Sequence, residues 1–269
     1  MTAVGDRAPL GVLLRDWRQR RRMSQLDLAL EAGVSARHLS FLETGRSKPS
    51  REMVLHLAEE LEVPLRERNR MLLAAGFAPA FDERPLEDPE LEPVRRAVAQ
   101  VLTGIEPFPA AVIDRWWNLV ASNRQIGVFL EGVAPELLEP PANVLRVSLH
   151  PDGMAPRIAN LAEWRAHLLG RLRREIAATG DERLAQLLDE VSAYPAPAAP
   201  TAPQVPPHGA IAVPLRIRSD RHGEELTFIS TVATFGTAVD VTVAELSIEA
   251  FFPADATTAT ALQKLLPQT

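Results

Sequence analysis

The sequence VSARHLSFLETGRSKPS, from Val34 to Ser50, is the most informative stretch of the chain. Ser35 is a good N-cap for a helix, and Gly45 can end that helix in a left-handed conformation. Small and polar residues would occupy the outer face of the helix, and a basic loop ending at Pro49 would follow it. A helix that only fills a core needs neither feature, so the stretch predicts a short helix that presents one face to a partner.

Helical patterns continue on both sides of this stretch. Ser24, with Asp27 as a near capping-box partner, and Ser50 both stand where an N-cap is needed. We predict five short helices within residues 10–23, 24–33, 35–45, 50–63 and 64–76. From the apolar spacing, their shared core is predicted to contain Leu26, Ala29, Leu30, Val34, Leu39, Leu42, Val54, Leu57 and Leu61.

The second and third of these helices have the spacing of a helix-turn-helix. Ala29 is small where the helices would cross, Gly33 permits the tight turn, and Leu39 would anchor the second helix inward. The residues predicted to face the DNA grooves are Ser35, Ala36, Arg37, His38 and Ser40. The residues predicted to contact phosphate are Gln25, Arg46, Lys48 and Arg51. The alternative is a plain helical bundle with a solvated basic face.

The distribution of charge supports a nucleic-acid partner although the total does not. The whole chain carries a net charge of −6, but residues 1–51 hold ten Arg and Lys against five Asp and Glu, a balance of +5 that leaves −11 for the remainder. Such asymmetry predicts a basic module joined to an acidic one. We therefore expect double-stranded operator DNA as a partner. A homodimer should be required, because one helix-turn-helix covers a single half-site.

Several classes of function are disfavoured by what the sequence lacks. There is no cysteine, which excludes disulfides and thiolate chemistry, and no motif of a nucleotide-binding loop, serine hydrolase or zinc protease is present. Six histidines are scattered without the spacing of a metal site. No apolar run approaches the length of a membrane span, and the amino-terminal residues lack an apolar signal core. We expect a cytoplasmic protein that is not an enzyme and needs no cofactor.

The second half of the chain predicts a mixed α and β domain. Residues 110–123 suggest strand, turn and strand; residues 143–156 suggest an extended segment; and residues 157–180 form the longest amphipathic pattern. A proline-rich stretch at 194–209 is predicted to be a surface loop, and three strand-like runs follow it at 210–219, 225–235 and 239–252. All strands should share one antiparallel sheet, in the chain order of a PAS-like fold.

Two resemblances extend this interpretation. The pattern VSxxxLSxLExGRxxPS of the lambda-repressor and Cro-type (XRE) helix-turn-helix proteins is matched over Val34–Ser50, and that resemblance implies DNA contacts at Gln25, Arg37, His38, Ser40 and Arg46. Residues 112–123 and 145–176 resemble the ligand-binding domain of MmyB-like transcription regulators. The implied architecture is multidomain: an all-α, five-helix XRE-type domain at 8–76, a linker and connecting helix at 77–104, and an α+β PAS-like domain with an antiparallel sheet at 105–265.

The second resemblance implies a pocket for a small apolar molecule, of the fatty-acid type in some members. Candidates for its lining are Trp116, Trp117, Phe129, Leu145, Val147, Trp164, Leu168, Ile229, Val232 and Phe235. Candidates for a polar contact at its mouth are Asn118, Asn123, His150, Arg157 and His167. Each apolar residue could equally be plain core, and His150 could simply stabilise the HPDG turn. A filled core would instead favour a DNA-anchored scaffold that binds a partner protein.

Overall fold

The computed structural model describes residues 8–195, 213–219, 224–236 and 238–264. The chain divides into two compact units: the first holds residues up to Pro85 together with the segment around 238–244, and the second holds the rest. Within the described ranges, no helix combines the length and the apolar character needed to cross a membrane. Each unit is described by itself below.

The first unit is helical, as predicted. Its five main helices are α1 (Leu10–Arg20), α2 (Gln25–Glu31), α3 (Ala36–Glu43), α4 (Arg51–Glu60) and α5 (Leu65–Ala74). The predicted serine caps are confirmed. Ser24 and Asp27 form a capping box, in which the side chain of each accepts the backbone N–H of the other. Ser35 and Ser50 each accept the backbone N–H of the third residue of their helix, α3 and α4 respectively. Local capping chemistry therefore sets where these helices begin.

One part of the predicted core is wrong. Leu26 and Leu30 are 59% and 72% exposed, whereas Leu28 and Ala29 form the buried face of α2. The segment QLDLAL has leucine at every second position, and a helix with 3.6 residues per turn cannot turn all three leucines to one side. Periodicity alone left two possible faces, and contact with α3 selected the one around Leu28.

The second unit is built on an antiparallel sheet of five strands in the order β2-β1-β5-β4-β3. The strands are β1 (Ala110–Ile113), β2 (Leu119–Ser122), β3 (Leu215–Ser219), β4 (Glu224–Thr234) and β5 (Ser247–Pro253). The prediction that early and late strands share one sheet is confirmed, because β1 pairs with β5 across the domain, with Val112 opposite Ile248.

Helices cover both faces of this sheet. The helix α6 (Glu92–Ile105) packs on one face, where Val98 and Leu102 contact the apolar side chains of β1 and β5. The opposite face is covered by α7 (Gly127–Leu130), α8 (Val144–Leu149), α9 (Leu161–Thr179) and α10 (Glu182–Ser192). Side chains on β5 alternate between the two layers. Ile248 and Ala250 face α6, and Phe251 belongs to the larger core on the other face.

Two predicted elements differ from the structure, and one helix was not predicted. Residues 143–156 do not form an extended segment: Asn143 caps the backbone N–H groups of Leu145 and Arg146 and starts the helix α8. Residues 239–252 do not form one strand, because the helix α11 (Val241–Ala244) precedes β5. A terminal helix, α12 (Ala256–Lys264), was not predicted. Apolar runs of four to six residues suit a buried helix or a strand equally.

The predicted proline-rich loop at 194–209 lies outside the described residues from position 196 onward. The helix α11 belongs to the first unit, where its amino end is held to the segment that follows α5. The backbone N–H of Val241 donates to the carbonyl of Asp82 at 2.8 Å, and the hydroxyl of Thr242 donates to the carbonyl of Arg84 at 2.6 Å. Arg84 also pairs with Asp240 at 3.1 Å.

Candidate DNA interface and ligand cavity

A tight turn joins α2 and α3 into a helix-turn-helix. Gly33 has a φ of 61°, a left-handed conformation that suits glycine, and the backbone N–H of Val34 donates to the carbonyl of Ala29 at 2.9 Å. Leu28, Leu39 and Leu42 are at most 2% exposed and fix the two helices to the core. The first turn of α3 is therefore held outward on a rigid support.

The outer face of α3 carries the side chains predicted to reach DNA. Arg37 is exposed, and the carbon of its guanidinium group lies 5.3 Å from the ring centroid of Phe41, an arrangement that holds the side chain along the helix. Ser35 is exposed and accepts the N–H of His38 at 3.1 Å. Ala36, His38 and Ser40 are half-buried. These five residues are the N-cap and four of the first five residues of α3, and their contacts with DNA stay a prediction.

A buried carboxylate stabilises the base of this surface. Glu43, at the end of α3, is 4% exposed and accepts from the Arg18 guanidinium at 2.7 and 3.0 Å. The side-chain amide of Gln25 donates to the same carboxylate at 2.7 Å. Burial raises the pKa of Glu43, but hydrogen bonds from Arg18 and Gln25 outweigh this effect and hold the pKa below its usual value. Gln25, predicted to contact phosphate, is thus oriented by Glu43 from inside the bundle.

Three further cations predicted to contact phosphate follow α3. Arg46 and Lys48 lie in the loop after Gly45, and Arg51 is the first residue of α4; all three are exposed. The backbone N–H of Arg46 donates to the carbonyl of Phe41 at 2.8 Å, which folds this loop back onto α3. Exposed cations next to a helix that is predicted to enter the major groove are suited to neutralising DNA phosphates.

The second unit contains an apolar cavity between the sheet and the helices α7 to α9. The space free of protein atoms measures about 740 Å³, including the part open to solvent. Six of the candidates named from the sequence lie at its wall: Trp117, Phe129, Leu145, Val147, Trp164 and Leu168. The wall also includes Ile113 and Phe251 from the sheet and Met154 from the segment after α8. Strands β1 and β5 and helices α8 and α9 thus converge on one site.

Three candidates from the region after β1 lie outside the cavity wall. Trp116 contacts the guanidinium groups of Arg115 and Arg183, whose central carbons lie 5.1 and 4.4 Å from its ring centroid. The Asn118 side chain donates to Asp114 within the turn between β1 and β2. Asn123 is buried and bonded to backbone groups beside α6. All three stabilise local structure in a way that a linear pattern does not reveal.

The other polar candidates also have structural partners. His150 accepts the backbone N–H of Asp152 at 3.1 Å, which fits the alternative that it stabilises the HPDG turn. Arg157 donates to the carbonyl of Phe129 at 2.5 Å and pairs with Glu131. His167 stacks on Trp164, and burial, aided by Arg171 and Arg174, lowers its pKa.

The apolar candidates on β4 and after it do not reach the cavity either. Ile229 and Val232 are 38% and 47% exposed, and Phe235 packs against the cluster beneath α6.

A residue that sequence reasoning missed, Glu249, lies at the cavity wall. It is 7% exposed on β5, and the Arg171 guanidinium lies 3.4 Å from both of its oxygens. Burial raises the pKa of Glu249 above its usual value even though Arg171 opposes that effect. The alternation of SIEAFF places Glu249 on the same side of β5 as Phe251, and this parity was the available signal.

These features define a class: DNA-binding transcription regulators that join a helix-turn-helix to a ligand-binding domain. A family model described as the MmyB-like transcription regulator ligand binding domain matches residues 94–265, and a helix-turn-helix model matches residues 14–68. The first match covers more than half of the chain. The chain therefore belongs to the MmyB-like transcription regulators.

Similar proteins occur in mycobacteria. An HTH-type transcriptional regulator of Mycobacterium bovis is 33% identical over 112 residues, which represent 41% of this chain and 39% of the relative. Regulators of the same description from two strains of Mycobacterium tuberculosis match with the same identity and coverage. The chain therefore matches these relatives over only 39% of their length.

Proposed function

We propose that this protein binds a specific operator in double-stranded DNA through α3 and that a small apolar ligand in the second unit regulates this binding. The ligand would be of the fatty-acid type, a molecule that consists mostly of a hydrocarbon chain. The observation that carries the proposal is the coexistence of an outward, cation-flanked α3 and an apolar cavity in one chain. In this proposal, both the DNA binding and the ligand binding take place in the cytoplasm.

The DNA part is supported by the way in which α3 is held. The turn at Gly33 and the buried residues Leu39 and Leu42 leave the side chain of Arg37 free to meet base edges, where Arg pairs with guanine. Selection of bound sequences from a random duplex pool tests this part. We expect one enriched motif with two half-sites about 34 Å apart, because a homodimer places two copies of α3 in successive major grooves.

The ligand part is supported by the composition of the cavity wall. Four of the residues at the wall have polar side-chain groups: the hydroxyl of Ser148, the carboxyl group of Glu249 and the indole N–H groups of Trp117 and Trp164. Both indoles donate to protein acceptors, Trp117 to Glu175 at 2.7 Å and Trp164 to Ser148 at 3.1 Å. A wall so poor in free polar groups suits a hydrocarbon chain and favours the ligand over the protein-binding scaffold.

Ligand and DNA must be linked energetically for regulation to occur. A ligand changes DNA affinity only to the extent that it binds the DNA-competent arrangement of the protein more or less tightly than the alternatives. The direct test measures operator affinity by fluorescence anisotropy, with and without a saturating alkyl compound. A reproducible change of fivefold or more, of the size of an ordinary allosteric coupling, is expected; an unchanged affinity would reject regulation by this class of ligand.

A further inference from the structure

The strand β4 has an open edge over the second half of its length. It runs from Glu224 to Thr234, but β3 pairs only with its first half, which ends where Leu215 lies opposite Phe228. From Ile229 to Thr234, β4 pairs with β5 on one side, and no strand of the described residues pairs with it on the other. An edge of this kind can accept a further strand.

The direction of the backbone groups along this edge follows from a neighbouring hydrogen bond. Phe251 of β5 lies opposite Ser230, and its backbone N–H donates to the carbonyl of Pro109, away from β4. Backbone groups of an antiparallel strand point to alternate sides, so Ser230, Val232 and Thr234 direct their N–H and C=O groups away from β5. Each of these three residues therefore offers a donor and an acceptor at the open edge.

The side chains of this segment lack the features that usually protect an open edge. Residues 229–234 have the sequence ISTVAT, which contains no charge, proline or glycine. Thr231 and Ala233 on one face of β4 and Val232 and Thr234 on the other are all exposed, Val232 by 47%. Edge strands are commonly interrupted by charge or proline, because an uncharged edge rich in β-branched residues pairs with other chains. The segment is therefore suited to strand pairing.

Charge and sequence both favour a second copy of this chain as the occupant of the edge. The chain beyond residue 51 carries a net charge of −11, so two copies repel each other over much of their surface, and an uncharged strip avoids that repulsion. The segment is also compatible with itself. In an antiparallel pair centred on Val232, Ser230 lies opposite Thr234 of the second copy and Val232 lies opposite Val232. Pairs of hydroxyl and of β-branched side chains are favourable across strands.

We propose that two copies of this protein pair through their β4 edges, with Val232 at the two-fold axis, so that their five-stranded sheets form one continuous sheet. Ser230, Val232 and Thr234 of each copy exchange backbone hydrogen bonds with the same three residues of the other, as a two-fold interface requires. This inference rests on the proposed function, in which a homodimer binds the operator, and it assigns an interface to that dimer.

Disulfide cross-linking tests the position of the axis, and the native chain contains no cysteine that could interfere. In the proposed dimer the two copies of position 232 have Cα atoms about 5.5 Å apart, a distance that a disulfide spans. Ala233→Cys is the matched control, since the two copies of position 233 are diagonal neighbours about 7–8 Å apart. Under mild oxidation of the full chain, we expect Val232→Cys to form a covalent dimer at least about tenfold faster than Ala233→Cys.

Val232→Pro tests the backbone hydrogen bonds across the axis. The N–H of Val232 points away from β5, so proline at this edge removes no hydrogen bond within the sheet of one copy. The dimer loses two hydrogen bonds, and its dissociation constant, measured by analytical ultracentrifugation, should rise at least about tenfold. Val232→Thr keeps the N–H and the β-branched shape and should change the constant by about threefold or less. If Val232→Pro does not fold, as circular dichroism would show, the cross-linking comparison still decides the proposal.

The outcomes separate this inference from the proposed function. Equal cross-linking of the two cysteine variants, or a dimer that a folded Val232→Pro variant does not weaken, would overturn the β4 interface. A native chain that stays monomeric would overturn it as well, and is the result expected if another protein occupies the edge. An enriched operator motif would still support DNA binding in each of these cases. Absence of any enriched motif would instead contradict the proposed function, whatever the cysteine variants show.

Discussion

Arg37 and Lys48 illustrate two ways in which a cation can serve DNA binding. Arg37 projects from the first turn of α3 and is positioned over Phe41, whereas Lys48 lies in the exposed loop beyond Gly45. The first position suits a base edge and the second suits a phosphate. The two residues should therefore respond differently to truncation.

Arg37→Ala should weaken binding to the selected operator by about 1–3 kcal/mol and weaken binding to random DNA much less. Lys48→Ala should weaken binding to both DNAs alike and reduce the slope of log affinity against log salt concentration by about one. Fluorescence anisotropy with labelled duplexes over a salt series measures both quantities. Equal losses on the two DNAs for Arg37→Ala would contradict its assignment to a base.

Glu43 links α1, α2 and α3 through one buried carboxylate. Replacement by Ala should lower the free energy of unfolding by about 3 kcal/mol, because Arg18 and Gln25 would lose their common acceptor in a buried site. Glu62→Ala is the control, since its side chain is 81% exposed and its pair with Arg21 measures 3.7 Å. A change within about 0.5 kcal/mol is expected there. Urea titration followed by circular dichroism gives both values.

The pH dependence of stability follows from the same residue. The pKa of Glu43 is lower in the folded protein than its model-compound value of 4.5, so the ionised group adds stability above about that pH. This contribution is lost as the pH falls through the lowered folded pKa. Glu43→Gln should therefore flatten the loss of stability on the acid side of pH 4.5 relative to the native chain. An acid limb of unchanged steepness would show that other carboxylates dominate it.

At the level of helices, the close approach of two backbones can exclude a side chain that helix propensity would favour. Gly11 lies where α1 meets the end of α3, and a Cβ there would collide with the carbonyl oxygen of Glu43 and lie 2.8 Å from that of Leu42. Alanine is the better helix former by about 1 kcal/mol, but it cannot fit between two backbones without displacing one.

Gly11→Ala should thus destabilise the first unit by about 1–3 kcal/mol despite its favourable propensity. Gly104→Ala is the matched variant, since Gly104 lies in α6 with no atom within 4 Å of an added Cβ. It should stabilise its helix by about 0.5–1 kcal/mol. Opposite signs in thermal unfolding are the expected result, and a stabilised Gly11→Ala would mean that α1 and α3 are further apart than described.

At the scale of the whole molecule, the decisive question is whether ligand binding in the cavity changes the affinity of the protein for DNA. Ala142→Leu enlarges a side chain at the cavity wall and should abolish the effect of the alkyl compound on operator affinity while leaving affinity without ligand unchanged. Ala166→Leu adds the same atoms at an exposed position of α9 and should preserve the effect. Anisotropy titrations with and without the alkyl compound distinguish these outcomes. Loss of regulation in both variants would argue against the cavity as the regulatory site.

Much of the helical unit was predictable because its signals are local. The side chains of Ser24, Ser35 and Ser50 accept backbone N–H groups three residues further along the chain, and Gly33 adopts the left-handed conformation that its turn requires. Such interactions do not depend on distant chain segments, so they can be read in order along the sequence. The five strands of the sheet were also indicated, since alternation and β-branched residues mark each of them separately.

The composition of the cavity wall required three-dimensional information. Glu249 faces the cavity only because β5 lies between β1 and β4 and turns that side towards α9, while Leu26 and Leu30 are exposed because α3 selected the other face of α2. The sequence predicted Asn123 and Arg157 as ligand contacts, but in the structure their side chains form hydrogen bonds with backbone groups instead. Capping and turn preferences are decided by neighbours in sequence, but which side of an element becomes wall, core or surface depends on contacts between segments far apart in the chain.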